Sequence, residues 1–167
     1  MTNKLFYFAY GSNLSIERLV WRISEPFSAE VYTLKDWKLA FNAGYSDAFA
    51  NITPHEGVSV QGVLYEIDTR QAKKLDLFEA LYDRFYFLNG DKICFTYVAR
   101  ETNEYIFPDI TYLRIIIEGA TKFGLKDTLS ITKEKLKQVL ALPKRKSKKR
   151  EKVKSFDFSH LNERFLY

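Results

Sequence analysis

The chain has 167 residues, 46% of them hydrophobic and 16% aromatic, which is enough for one domain with a sizeable core. Its single cysteine, Cys94, excludes an internal disulfide, and its two histidines, His55 and His160, show no paired His/Cys spacing of the kind that holds zinc. The net charge of +5 is concentrated at one end: residues 143–167 hold nine Lys/Arg against three Asp/Glu, whereas residues 1–142 hold 17 against 18, so the body has no electrostatic case for nucleic acid. No run approaches the roughly 20 apolar residues of a membrane span. The first apolar run, residues 5–10, is too short for a secretory leader and ends in Gly-Ser-Asn, so a cytoplasmic location is expected.

Residues 5–9 are apolar on both sides and read as a central strand. Tyr10-Gly11-Ser12-Asn13-Leu14 is a tight turn, and Ser15 caps a helix to about residue 23 with Ile16, Leu19, Val20 and Ile23 on its apolar face; Pro26 stops further helix. Residues 27–42 alternate loosely, as two strands or one long strand bent near Lys35-Asp36. A loop over 43–47 leads to a short strand, 48–53, ended by Pro54, with a turn at His55-Glu56-Gly57. Residues 58–67 form a strand with Gly62 inside, a position that marks a bulge or a close approach. Asp68 or Thr69 caps a helix expected over 70–81, with Ala72, Leu75 and Phe78 on one side and Glu79 beside them. Residues 85–88 and 92–99 form a hairpin around Asn89-Gly90-Asp91, and Cys94 within Ile93-Cys94-Phe95 reads as a buried, inert thiol. After a polar loop over 100–109 come a helix over 110–123 with Gly124 at its C-terminal cap, and a last helix over 132–142 with Leu136, Val139 and Leu140 inward. Strands interleaved with few βαβ alternations indicate an α+β domain around a mixed sheet, curved or closed; the pattern leaves barrel and open sheet undecided.

Two stretches carry chemistry. The turn at residues 10–14 can aim several backbone N–H groups at one point, which suits a carboxylate or an oxyanion, although it also serves as a plain strand-to-helix connection. Glu79, beside apolar neighbours, is either an edge residue paired with Lys74 or Arg84 or a partly buried acid whose desolvation raises its pKa toward the range for proton transfer. Tyr82 and Tyr86 lie close enough in sequence to orient such a group, or simply to pack.

With these pieces in order, the chain resembles the γ-glutamylcyclotransferase (AIG2-like) family over roughly residues 5–142. The resemblance rests on Tyr10-Gly11-Ser12-Asn13-Leu14, on Ala50-Asn51-Ile52-Thr53-Pro54 with Gly57 and Val60-Gln61-Gly62-Val63-Leu64-Tyr65, on Leu75-Asp76 followed by Glu79, on Tyr86, and on Tyr112 with Glu118-Gly119-Ala120 and Gly124-Leu125. It implies a small mixed β-barrel flanked by helices, Glu79 as catalytic acid and base, and a substrate site of Tyr10, Gly11, Ser12, Asn13, Leu14, Tyr86 and Tyr112, with Tyr97 a weaker member. The implied reaction is a transferase- or lyase-type intramolecular cyclisation: the α-amine of a γ-glutamyl group attacks its own γ-carbonyl, giving 5-oxoproline and a free amino acid or amine. It implies no metal or other cofactor. Family members usually carry a glycine directly after the glutamate and often another before the tyrosine; here Ala80 and Arg84-Phe85 stand there.

Two other functions stay open at this level. A protein of the same fold could bind a small molecule without turning it over. The run Lys144-Arg145-Lys146-Ser147-Lys148-Lys149-Arg150-Glu151-Lys152-Val153-Lys154 is suited to a phosphate backbone or an acidic partner, or is a solvated extension. The apolar residues beyond it, Phe156, Phe158, Leu161, Phe165 and Leu166, suggest docking on the body or on a second subunit of a homodimer.

Overall fold

The structure is a computed structural model that describes residues 4–143. The basic run and its apolar end lie outside the described residues, and of the tail expected from residue 143 onward only Pro143 is included.

Five strands form one mixed sheet: β1 (Lys4–Ala9), β2 (Ser28–Ala43), β3 (Phe49–Asp68), β4 (Tyr82–Asn89) and β5 (Lys92–Ala99), in the order β2-β3-β1-β5-β4. β1 is central, as its two-sided apolar pattern requires, antiparallel to β3 and parallel to β5. Phe8 and Ala9 are fully buried there. Gly62 on β3 is the anticipated close approach: a Cβ at that position would stand 2.3 Å from the Ala9 carbonyl oxygen and 2.6 Å from the Phe8 ring.

β2 and β3 form one long antiparallel hairpin, which settles the choice over 27–42 as a single bent strand. The bend sits at Asp36, where φ is 63°. Pro54 faces Trp37 and Ser59 faces Lys35, so the residues between Pro54 and Ser59 loop out opposite Asp36. The expected strand end at Pro54 is therefore corrected: the Pro-His-Glu-Gly signal produces a bulge inside a continuous strand. The Asp36 carboxylate closes it by accepting the Gly57 N–H at 3.0 Å.

The far ends of the sheet meet through side chains. Trp37 on β2 and Phe85 on β4 lie 4.9 Å apart between ring centroids, Tyr32 and Phe87 6.0 Å apart, and Lys92 bridges to Glu30 at 2.7 Å. The sheet thus curls into the small mixed barrel expected. Its β2–β4 seam is closed by aromatic rings, with no backbone ladder there among the described residues.

Four helices flank it: α1 (Ile16–Ile23), α2 (Thr69–Asp76), α3 (Ile110–Lys122) and α4 (Lys126–Ala141). Ser15 caps α1, Asp68 and Gln71 form a capping box on α2, and Asp109 caps α3, with Gly124 at φ 66° just past that helix's end. Two helix bounds depart from expectation. α2 ends at Asp76, because Asp76 and Glu79 are both claimed by distant partners and the chain tightens into i→i−3 turns there. α4 starts six residues earlier than the apolar pattern suggests, because its buried face is built on Thr128 and Thr132; the Thr128 hydroxyl donates to the Gln61 carbonyl at 2.6 Å. Leu140, expected inward, is exposed. Cys94 is fully buried, as expected. No helix among the described residues is long and apolar enough to cross a membrane.

Candidate active site

The turn after β1 is a single tight turn over Ser12–Leu14. The Leu14 N–H donates to the Gly11 carbonyl at 3.0 Å and the Leu14 side chain is fully buried, so Leu14 supports the turn from below and does not line the cavity. The Ser12 and Asn13 N–H groups have no acceptor among the described residues. α3 presses against the turn at Gly119, where a Cβ would lie 2.5 Å from the Leu14 carbonyl carbon.

Glu79 stands in the turn after α2 instead of on a helix face: its N–H reaches the Asp76 carbonyl at 3.2 Å and its carbonyl accepts the Tyr82 N–H at 3.0 Å. This placement corrects the helical account of its neighbourhood while bringing its carboxylate to the turn after β1. Oε1 accepts from Asn13 Nδ2 at 3.1 Å and from Arg22 Nη1 at 3.1 Å. Arg22 Nη1 also donates to Asn13 Oδ1 at 2.9 Å, and Asn13 Nδ2 donates to the Tyr7 hydroxyl at 2.8 Å. Oε2 has no protein partner among the described residues. The Glu79 side chain is 13% exposed. Burial pushes its pKa above the ordinary glutamate range, against the opposing pull of Arg22 and the Asn13 amide.

Tyrosines wall the cavity between the turn and Glu79. The Tyr10 hydroxyl donates to the Tyr97 carbonyl at 2.5 Å, Tyr82 donates to the Ala50 carbonyl at 2.8 Å, and the Tyr112 oxygen accepts the Ala50 N–H at 2.9 Å. Burial raises every one of these phenols, Tyr112 to about 12, so all are neutral near pH 7. Ala50 lines the same cavity, and Gly11 lies close to it, because a Cβ there would sit 3.1 Å from the Ala50 methyl.

The cavity proper measures about 30 Å³. Glu79 also lines two adjoining spaces: one of about 250 Å³ with Ser12, Arg18, Arg22 and Phe78, and one of about 420 Å³ with Asp76, Arg84 and Tyr97. Of the residues anticipated for the site, Tyr10, Gly11, Ser12, Asn13, Tyr112, Glu79 and the weaker Tyr97 line the central cavity. Tyr86 does not line it. It is 54% exposed on β4, its ring packs on Phe95, and its hydroxyl receives Arg84 at 3.2 Å.

Arg84 grips both Asp76 oxygens at 2.8 and 2.7 Å and the Ala72 carbonyl at 2.8 Å, which pins the end of α2. Tyr97 adds its hydroxyl to Asp76 at 2.6 Å. Sequence reasoning missed Tyr7 and Arg22. The available signal for Arg22 was its place one helical turn after Arg18 on the helix that follows the Gly11 turn.

Comparison with known proteins bears on the family and the fold. The family model described as "Gamma-glutamyl cyclotransferase, AIG2-like" matches residues 7–114. Among solved structures, one named gamma-glutamyl cyclotransferase has TM-score 0.65 at 24% identity, with 87% of this chain and 92% of that chain covered. An uncharacterised Homo sapiens protein has TM-score 0.63 at 27% identity, covering 79% and 86%. A yeast protein titled as a gamma-glutamyl cyclotransferase specific to glutathione has TM-score 0.55 at 11% identity, covering 82% and 96%. No curated protein matches the chain in sequence. The family model covers well over half of the chain, and the chain belongs to the γ-glutamyl cyclotransferase, AIG2-like family.

Proposed function

We propose that this protein cyclises a γ-glutamyl group to 5-oxoproline and releases an amino acid or amine, with Glu79 as the proton carrier. The observation that carries the reading is that the Glu79 carboxylate and the Gly11-Ser12-Asn13 turn line one cavity and are joined by the Asn13 amide at 3.1 Å.

Attacking amine and target carbonyl belong to one molecule, so folding the substrate toward a five-membered ring removes much of the entropic barrier; well-oriented intramolecular reactions gain about 7–11 kcal/mol in this way. The Tyr10 and Tyr82 rings and the turn form the walls that would hold the bent chain. Ionised Glu79 takes a proton from the substrate's α-ammonium. The freed amine attacks the γ-carbonyl, and negative charge develops on that oxygen, facing the Ser12 and Asn13 N–H groups. Collapse of the tetrahedral intermediate breaks the bond to the leaving nitrogen, which takes that proton back from Glu79. The ring nitrogen, still carrying two hydrogens after the attack, gives up its second proton through the regenerated Glu79 carboxylate, so that the lactam N–H forms and the amine leaves as its ammonium. A carboxyl whose pKa is raised by burial suits both halves, because it is a stronger base when ionised and is still able to return the proton.

A cavity of about 30 Å³ holds little more than a water, so a substrate must also occupy the adjoining spaces. That small volume, with Ala80 in place of the usual glycine, favours a second reading in which the fold binds a γ-glutamyl compound without turnover. A panel of γ-glutamyl amino acids, glutathione and γ-glutamylamines with direct detection of 5-oxoproline separates the two. Release from at least one substrate is expected. Binding to several with release from none would overturn the enzymatic reading.

A further inference from the structure

α1 carries two arginines one turn apart, Arg18 and Arg22, and both line the space of about 250 Å³ that opens beside Glu79. Side chains four apart on a helix are neighbours, so two guanidinium groups can converge on one small anion. Arg22 is committed through Nη1 to Glu79 and Asn13, and its ring-facing side lies 5.0 Å from the Phe78 centroid. Its side chain is 10% exposed, yet its Nε has no partner among the described residues. Arg18 makes no side-chain hydrogen bond or ion pair among the described residues, and its Nε is likewise buried and unpaired. The space therefore holds two guanidinium cations against one carboxylate, Glu79. Buried cations without partners are disfavoured, and desolvation together with the charge of Arg22 acts against the Arg18 cation. An anion in that space would offset the surplus positive charge of the two guanidinium groups that line it. The Leu14 N–H is spent on the Gly11 carbonyl, so the turn alone offers fewer donors to a carboxylate than its sequence suggests.

We propose that Arg18 and Arg22 form a carboxylate-binding subsite beside Glu79, and that Arg18 is the specificity-determining residue within it. The inference rests on the γ-glutamyl reading above. The ligand chemistry is a carboxylate, carried either by the glutamyl group itself or by an amino-acid leaving group. Guanidinium groups bind it in forked hydrogen bonds.

The test replaces Arg18 by Gln and, as the charge-conserving control, by Lys, with a thermal melt on each variant to register folding. Kinetics are compared on γ-glutamyl-alanine and on γ-glutamyl-ethylamine, which lacks the leaving-group carboxylate. Calorimetry compares 5-oxoproline with 2-pyrrolidinone, its analogue without the carboxylate. Arg18→Gln is expected to raise KM more than it lowers kcat, by about 10- to 100-fold, the range for a hydrogen bond to a charged group, with partial recovery in Arg18→Lys. A rise on both substrates, with weakened 5-oxoproline binding, places the glutamyl carboxylate in the subsite; a rise confined to γ-glutamyl-alanine places the leaving group's carboxylate there. Unchanged KM on both substrates and unchanged 5-oxoproline binding in a folded Arg18→Gln overturns the subsite. If the wild-type protein releases no 5-oxoproline, the enzymatic reading fails on its own. In that case calorimetry alone decides the subsite: a wild-type preference for 5-oxoproline over 2-pyrrolidinone that disappears in Arg18→Gln upholds it, and the lack of such a preference removes it.

Discussion

Replacing Glu79 by Gln separates the proposed proton transfer from the hydrogen bonds the residue makes. The amide has nearly the same shape, and its oxygen can keep accepting from Asn13 Nδ2 and Arg22 Nη1, so the turn and α1 should stay in place. The variant loses the only carboxylate that lines the central cavity among the described residues. Positioned acid–base catalysis contributes about 10²- to 10⁴-fold, so kcat should fall by that factor, or roughly 3–5 kcal/mol of barrier at 1.36 kcal/mol per decade. Folding should respond differently. Burial raises the Glu79 pKa in the folded state, so the stability it contributes is fully present below the ordinary glutamate pKa and is lost as pH rises through the folded value. The wild-type protein should therefore lose stability relative to Glu79→Gln on going from about pH 4 to pH 8. Urea unfolding of both proteins across that range measures this, and 5-oxoproline release measures the first effect. Activity within about threefold of wild type would remove Glu79 from the proton-carrying role. Parallel stability curves would show that its carboxylate is not perturbed by burial.

Three further substitutions probe the frame of the site. Gly119→Ala puts a Cβ 2.5 Å from the Leu14 carbonyl carbon and 2.6 Å from its oxygen, and backbone atoms cannot rotate away. Overpacking of about 1–3 kcal/mol should outweigh the helix-propensity gain of about 1 kcal/mol, and a melting temperature at or above wild type would contradict this packing. Asn13→Asp places a second carboxylate where an amide now donates to Glu79 at 3.1 Å, so the two resist joint ionisation. The acid limb of the pH–rate profile should move to higher pH, and an unmoved limb would break the proposed contact. Tyr86→Phe removes a hydroxyl that meets only Arg84, outside the cavity, so kcat and KM for 5-oxoproline release should stay within about twofold; a large loss would return Tyr86 to the substrate site.

The sheet was legible because burial writes itself into period and turn chemistry. β1 is apolar on both sides, and Gly90 follows Asn89 at a two-residue hairpin turn. Three features were not legible, each for a physical reason. Pro54 and Gly57 punctuate a bulge as readily as a strand end, and only the pairing of Trp37 with Pro54 decides between them. The stretch from Leu77 to Leu81 has good helix formers, yet Asp76 is held by Arg84 and Tyr97, and Glu79 by Arg22 and Asn13, so tertiary partners override local propensity. The buried face of α4 uses Thr128 and Thr132, polar residues that an apolar count passes over. At the site, the Gly11 turn and Glu79 stood out as a small-residue turn and a carboxylate among apolar neighbours and took their roles from the resemblance, whereas Arg22 and Tyr7 enter through hydrogen bonds to Asn13 that no sequence period encodes.

Those bonds decide where the proton of Glu79 resides. An arginine side chain can only donate, so the Asn13 atom facing Arg22 at 2.9 Å must be Oδ1, and its Nδ2 must face Tyr7 and Glu79. The orientation of the amide is thereby fixed by chemistry. Glu79 Oε1, which meets this Nδ2 and Arg22 Nη1, is an acceptor from both and has no room to be a hydroxyl toward either. A proton on the carboxyl must then sit on Oε2, the oxygen without a protein partner among the described residues. The turn after β1 thus does more than stand opposite the acid. Through one asparagine it anchors one carboxylate oxygen and leaves the other, without a partner among the described residues, as the atom that the proposed cyclisation would use to take up and return a proton.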